Sequence, residues 1–254
     1  MKRYGTKIGE WAESLLPLVI IAVIWGISGK SGQMNTVVMP SLETVVQTFC
    51  NSIADGSLLA AIGISMKRVL TGYLLSAVLG IVLGIVIGLS KHMQRLTNLV
   101  IQILRPIPPI AWIPLVILWM GIGEGSKVFL IFLGGFFPVL INVTDGIRYT
   151  DKKLTEVAAV METPRKKYIT QLVIPAAMPS IFTGLRVSLG SCWTCVVAAE
   201  LVASTSGIGY MISNARNFGQ MDVVIVGMLA IGIVGKIMDV ILNIFGRHVL
   251  VWNE

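Results

Sequence analysis

The residues able to do covalent or metal chemistry are few and poorly placed for it. The histidines, His92 and His248, each stand beside basic residues, and no His-Glu-x-x-His or Gly-x-Ser-x-Gly arrangement occurs. Cys50 stands alone, while Cys192 and Cys195 form a Cys-x-x-Cys inside an apolar stretch. A redox or metal role for that pair needs a thiolate-stabilising setting and further ligands. We read the two as small apolar filler in a helix. Gly29-Lys30-Ser31 has the end of a phosphate loop, but Ile24 stands where its first glycine belongs. Gly121-x-Gly-x-Gly125 follows an apolar segment and not a strand, so no dinucleotide site is expected. The chain is therefore read as non-enzymatic, with no catalytic residue, no metal site and no bound cofactor.

What the sequence does offer is polar groups in apolar surroundings. Ser188, Ser191 and Thr194, with Trp193, place hydroxyls and an indole on an apolar segment. Such hydroxyls donate hydrogen bonds to a small anion, or bond back to their own helix carbonyls, and both readings stand open. Glu200 suits either the amine of a zwitterion or a basic partner, and pairing is the preferred reading. Arg105 begins a segment that holds Pro106, Pro108, Pro109, Trp112 and Pro114. Prolines remove backbone donors, so this segment cannot be a regular rod, and broken backbone in a membrane must be covered by protein or line a wet cavity. An arginine there faces water, pairs, or snorkels to the surface.

The elements that must position these groups are membrane spans. Of 254 residues 55% are hydrophobic and only 13% charged, with mean hydropathy +0.82, whereas a soluble domain carries about 25% charged residues. The apolar runs fit a bilayer core of about 30 Å, which takes about 20 residues to cross. The net charge of +7 gathers in short loops between those runs, which is the footprint of topology and not of a nucleic-acid surface.

Lys2, Arg3 and Lys7 precede a first span from about Leu15 to Ile27, where Glu10 and Glu13 break the pattern of a cleaved signal peptide. A loop to Met39 leads to an amphipathic interfacial helix from Pro40 to about Leu59, with Ser41 as its cap. Further spans are expected over about Val69–Leu89, Leu99–Met120, Val128–Val143, Ile181–Val202 and Val223–Phe245. Lys67 and Arg68 fall at the outer end of the second span, and Lys91, His92 and Arg95 in a cytosolic loop. Gly80, Gly84 and Gly88 mark a face for close helix packing. Ser204–Asp222 reads as an outer loop, and Lys236 and Asp239, three apart, as a pair. The fold class is all-α integral membrane protein, with about six transmembrane helices and both termini cytosolic.

The longest polar run lies between the fourth and fifth spans. Glu156 to Met161 reads as one short helix; Thr163 and Pro164 then read as the cap and first position of a second, which Pro175 closes. This run resembles the EAA loop of binding-protein-dependent ABC importer permeases: Glu-Ala-Ala, three residues, Gly, nine residues, Ile-x-Leu-Pro. Glu156, Ala158, Leu172, Ile174 and Pro175 fall on that pattern, with Val157 standing for alanine, Leu172 for isoleucine and Ile174 for leucine. Glu162 stands where the family has glycine; positive φ there costs a glutamate about 1 kcal/mol, so the Thr163-Pro164 pair is expected to supply the break instead.

Arg105-Pro-Ile-Pro-Pro-Ile-Ala-Trp-Ile-Pro114, Trp119-Met-Gly-Ile-Gly-Glu-Gly-Ser-Lys127, Gly184-Leu-Arg186, Ala198-Ala-Glu200 and Ser206-Gly-Ile-Gly-Tyr210 are similar to the nitrate/sulfonate/taurine branch of these permeases. The resemblance implies one transmembrane permease domain over residues 1–254 with the type I ABC importer permease fold. It also implies a cytosolic coupling loop at about 148–178, in which Glu156, Val157, Ala158, Ala159, Glu162, Pro164 and Pro175 meet an ATPase. Its further implications are a second permease copy as homodimer partner, two cytosolic ATPase subunits holding ATP and Mg, an extracytoplasmic solute-binding protein and a lipid bilayer. The location implied is the bacterial cytoplasmic (inner) membrane, and the solute a taurine or alkanesulfonate type anion or zwitterion, with nitrate or bicarbonate as alternatives. A translocation pathway along Arg105, Trp112, Ser188, Ser191, Trp193, Thr194 and Glu200 is expected. A secondary transporter or channel is the competing class; a channel would need no coupling loop, and a secondary transporter would more often show internal repeats and membrane-embedded carboxylates.

Overall fold

The computed structural model describes residues 16–17, 19–27 and 39–249, and every regular element among them is helical. The basic N-terminal residues, the beginning of the first expected span and most of the loop after it lie outside the described residues. The chain divides into two compact units, Met1–Ala60 with Met211–Ala230, and Ala61–Tyr210 with Ile231–Glu254.

In the first unit, α1 is helical over residues 19–27, and the Trp25 indole donates to the Pro40 carbonyl (3.2 Å). Ser41 caps α2, Leu42–Ala54, by accepting from the Thr44 N–H at 3.2 Å, as its position before the amphipathic run predicts. Asp55 and Gly56, the latter at φ +77°, then break the chain. α3, Ser57–Leu89, belongs to the second unit from Ala61 onward; it starts well before the expected span and is about 50 Å long at 1.5 Å per residue.

The second unit is built around two seams of small residues. Gly80, Gly84 and Gly88 of α3 lie on Val139, Val143 and Ile147 of α6, Glu124–Arg148; a Cβ added at those glycines would come within 2.7–2.9 Å of the facing side chains. Both series ascend together in steps of four, so the two helices run parallel and in register. The other face of α6 meets α9, Ile174–Ala203, running the opposite way: Gly146 faces Ser180, Gly184 faces Asn142, and Gly135 faces Cys192. Val139, Val143, Ile147, Val173, Ala177 and Ile181 close the core between them. Cys192 is fully buried there and Cys195 lies against Gly134, so the Cys-x-x-Cys fills space between helices.

The proline-rich segment is broken, as its composition predicts. α4, Lys91–Leu104, is capped by Ser90, so Lys91, His92 and Arg95 stand in its first turns and not in a loop. A 3-10 turn over Pro109–Trp112 and α5, Ile113–Met120, follow at 86° to α4. α3, α6, α9 and α11, Met221–Val249, are long and apolar enough to cross a membrane, and the bent pair adds a fifth crossing if it is one span. The expected outer loop Ser204–Asp222 contains a further helix, α10, Ile208–Asn217. Asp239 of α11 does not pair with Lys236; it takes a two-pronged bond from Arg186 of α9, at 2.7 and 3.1 Å, because the fork of a guanidinium matches a carboxylate.

Between α6 and α9, α7 spans Lys152–Val160 from an Asp151 cap. It ends in a Schellman turn: the Thr163 N–H donates to Ala158 O and the Glu162 N–H to Ala159 O, both at 3.1 Å. Glu162 itself holds the left-handed conformation, at φ +46°. The Thr163-Pro164 pair therefore does not replace the family glycine's turn. Thr163 is also not the cap of the next helix. The Schellman turn takes up its N–H, and Pro164 occupies the cap position one residue later, before α8, Arg165–Lys167. Pro175 does not close a helix either. α8 runs into a π-helical stretch, Tyr168–Val173, and that into α9; the Ile174 N–H reaches back five residues to Ile169 O. This wider turn accommodates the proline ring, which a regular α-turn would drive into the preceding carbonyl.

Candidate functional site

α7 and the turn after it form one exposed knob. Leu154, Val157 and Val160 recur at a spacing of three, with Met161 beside them, and Val160 and Met161 are 84% and 73% exposed. Glu156, Ala159, Glu162 and Pro164 share this exposure, and Arg165, Lys166 and Lys167 follow. Ala158 is the exception, buried on the inner side of α7. Pro175 lies half-buried in the first turn of α9. An exposed apolar patch beside charged residues is a candidate interaction surface.

The expected pathway residues do not share one environment. Positions 188, 191 and 194 spread over about 120° of the helix, and the packing of α9 against α6 gives the three hydroxyls different surroundings. Ser188 is fully buried in the seam, its hydroxyl facing Gly135 with no hydrogen-bond partner among the described residues. Ser191 is half-buried, and Thr194 is exposed with its hydroxyl donating back to Gly190 O at 3.1 Å. The Trp193 indole donates to Ile231 O (3.0 Å) and packs on Gly235 of α11. Trp112 packs beside Ile113, Val116, Leu130 and Ala199. Arg105 is exposed at the break after α4, where it borders two cavities of about 510 and 260 Å³.

Glu200 is paired, and its partner is a residue that the sequence reading placed at a span end. Arg68 of α3 donates to Glu200 at 2.7 Å and, through its other nitrogens, to both oxygens of Glu124 at 2.7 and 2.6 Å. Ser65 donates to the Glu200 carboxylate (2.8 Å), as does the Gly209 N–H (2.9 Å), while Arg68 also reaches Ser206 O (2.7 Å). Lys127 completes the cluster by bonding Glu124 at 2.9 Å. The Arg68 and Glu200 side chains are 3% and 0% exposed, and a Cβ at Gly207 would collide with the Glu200 carboxylate. The signal available in the sequence was depth: the early turns of α3, the first turn of α6 and the last of α9 belong at one end of the bundle, so Arg68, Glu124 and Glu200 belong there together.

A family model described as binding-protein-dependent transport system inner membrane component matches residues 77–251. An aliphatic sulfonates transport permease protein of Bacillus subtilis (strain 168) is 42% identical over 253 residues, covering 100% of this chain and 92% of that one. The protein of the same description from Escherichia coli (strain K12) is 40% identical over 253 residues, covering 100% and 95%. A nitrate import permease protein of Synechococcus elongatus is 35% identical over 234 residues, covering 91% and 84%.

Proposed function

The chain belongs to the family of binding-protein-dependent transport system inner membrane components, and from that premise we propose that it carries a small organic sulfonate into the cell. It is the multi-pass permease subunit of an ABC importer, a family whose members work with an ATPase and a solute-binding protein. The observation that carries the sulfonate reading is the 42% and 40% identity, over the whole chain, to two aliphatic sulfonate permeases. Nitrate is the second reading, favoured by the 35% identical relative.

On this reading two copies of the chain form the pore in a bacterial inner membrane, with both termini and α7 in the cytosol. The exposed face of Leu154, Val157, Val160 and Met161 seats in a groove of the ATPase, which holds ATP and Mg. Movement of that knob passes into α9 through an unbroken run of helix, from Arg165 to Ala203. At the far end of α9, Glu200 is tied to Arg68, so the same helix joins the ATPase contact to the clamp at the opposite face. The test is growth of a bacterium lacking its own sulfonate permease on ethanesulfonate as sole sulfur source, with this chain supplied together with its ATPase and binding protein. Restored growth on ethanesulfonate is expected; nitrate uptake restored in its place refutes the sulfonate reading.

A further inference from the structure

A third cavity, of about 570 Å³, lies at the end of the second unit that carries α7. Lys91 and Arg95 from the start of α4 and Arg148 from the end of α6 line it, and no aspartate or glutamate does. Among the described residues none of these three cations forms an ion pair. All three are exposed, and Arg148 also lies over the Tyr149 ring at 5.8 Å, yet the three come from two different helices and border one space. The neutral lining adds donors. Asn98 uses its carbonyl oxygen to accept from Gln102 at 3.0 Å, which leaves its amide N–H groups for the cavity.

We propose that this cavity is an oxyanion site, taking a sulfonate or phosphate group between Lys91, Arg95 and Arg148. Two neighbours give it a role. Gln94, Asn98 and Arg148 also line the cavity of about 510 Å³ that extends to Arg105, so the site adjoins a space with a cation at each end, Arg105 and Arg148, and Asp145 as its one carboxylate. The opposite wall holds Thr155 of α7 and Tyr168 of the π stretch, so the bound anion touches the loop that meets the ATPase. The ligand has two sources: the imported solute on its way out, or the headgroup of an anionic phospholipid. The assignment rests on the proposed function for the imported solute as one ligand source and for the ATPase contact of α7, and not for the placing of the three cations.

The test uses the full chain assembled with its ATPase. In nanodiscs of phosphatidylcholine alone, the complex is titrated calorimetrically with ethanesulfonate and, separately, with inorganic phosphate. In nanodiscs containing phosphatidylglycerol, retained lipid is read by native mass spectrometry. A solute source gives binding in the neutral discs, weakened about tenfold by Arg148→Gln and largely restored by Arg148→Lys, as expected for one charge-assisted hydrogen bond. A lipid source gives phosphatidylglycerol retained by the native complex and lost from the Lys91→Gln, Arg95→Gln, Arg148→Gln triple variant, with no small-anion titration. Either outcome supports the site. Failure of the native complex to hold any of the three probes overturns it, as does binding that the variants leave unchanged. Should the triple variant not fold, Arg148→Gln alone carries both arms. Ethanesulfonate uptake into proteoliposomes is measured on the same preparations. Uptake without anion binding overturns the site and leaves the function standing, whereas binding without uptake does the reverse.

Discussion

Replacing Glu162 by glycine tests the turn between α7 and α8 directly. Glu162 sits at φ +46°, where its Cβ crowds the backbone at a cost of roughly 1–2 kcal/mol for any L-residue with a side chain. Glycine removes that strain but gains about 0.4–1 kcal/mol of conformational freedom when the turn opens. The difference favours Glu162→Gly by about 0.5–1 kcal/mol, which slows opening of the Schellman turn roughly two- to fivefold at an RT of about 0.59 kcal/mol. Native-state hydrogen exchange at the amides of Glu162 and Thr163 reads that factor, because both N–H groups are bonded only while the turn is closed. Glu162→Ala keeps the Cβ while losing the charge, and is expected to give no such gain. Equal protection in native and glycine forms, or an alanine form that matches glycine, would refute the strain argument and return the break to Thr163 and Pro164.

Three further outcomes follow from the same geometry. Arg68→Gln leaves the buried Glu200 carboxylate without its cation and is expected to cost about 3–5 kcal/mol, read as a fall in melting temperature well beyond that of an exposed change such as Lys153→Gln, whereas Glu200→Gln costs less because Arg68 keeps Glu124. Gly84→Ala sets a methyl group against Val143 and is expected to destabilise by about 1–3 kcal/mol; Val143→Ala in the same chain should recover part of that loss, and strictly additive effects would count against the seam. Val160→Asp lies wholly outside the packed core, so the permease should fold with its normal melting temperature while copurification of the ATPase falls sharply; undiminished copurification would remove the exposed face of α7 from that contact.

The features legible in the sequence are those set within one element. Ser41 announces α2, the prolines after Arg105 announce the bend after α4, and Gly80, Gly84 and Gly88 announce a helix seam, each by local sterics or hydrogen bonding. The family resemblance pointed to the loop around α7, but the helix there starts at Lys152, four residues before the expected Glu156. What escaped were choices between partners far apart in the chain. Asp239 had Lys236 one turn away, yet the flat fork of Arg186, 53 residues distant, offered the better geometry. The hydroxyls of Ser188 and Thr194 share an apolar segment, but only the rotation of α9 against α6 decides that one is entombed and the other exposed. Turn chemistry misled in a different way. A glutamate in left-handed geometry is unfavourable and points to a break at Thr163-Pro164, whereas the two Schellman hydrogen bonds hold Glu162 in place despite the strain.

The π stretch before Pro175 keeps the phase of everything on its N-terminal side. Its hydrogen bonds close over five residues and not four, so it behaves as one residue inserted into an otherwise regular helix and absorbed where it stands. Removing one residue from Tyr168–Val173 would therefore let the stretch close as ordinary α-turns with α7 still aimed much as before. One residue removed from the regular part of α9 has no such slack, and it would turn Arg165, Lys166, Lys167 and the knob of α7 by about 100° about the helix axis. The wide turn is thus the one place in this helix where the count of residues can change without re-aiming α7.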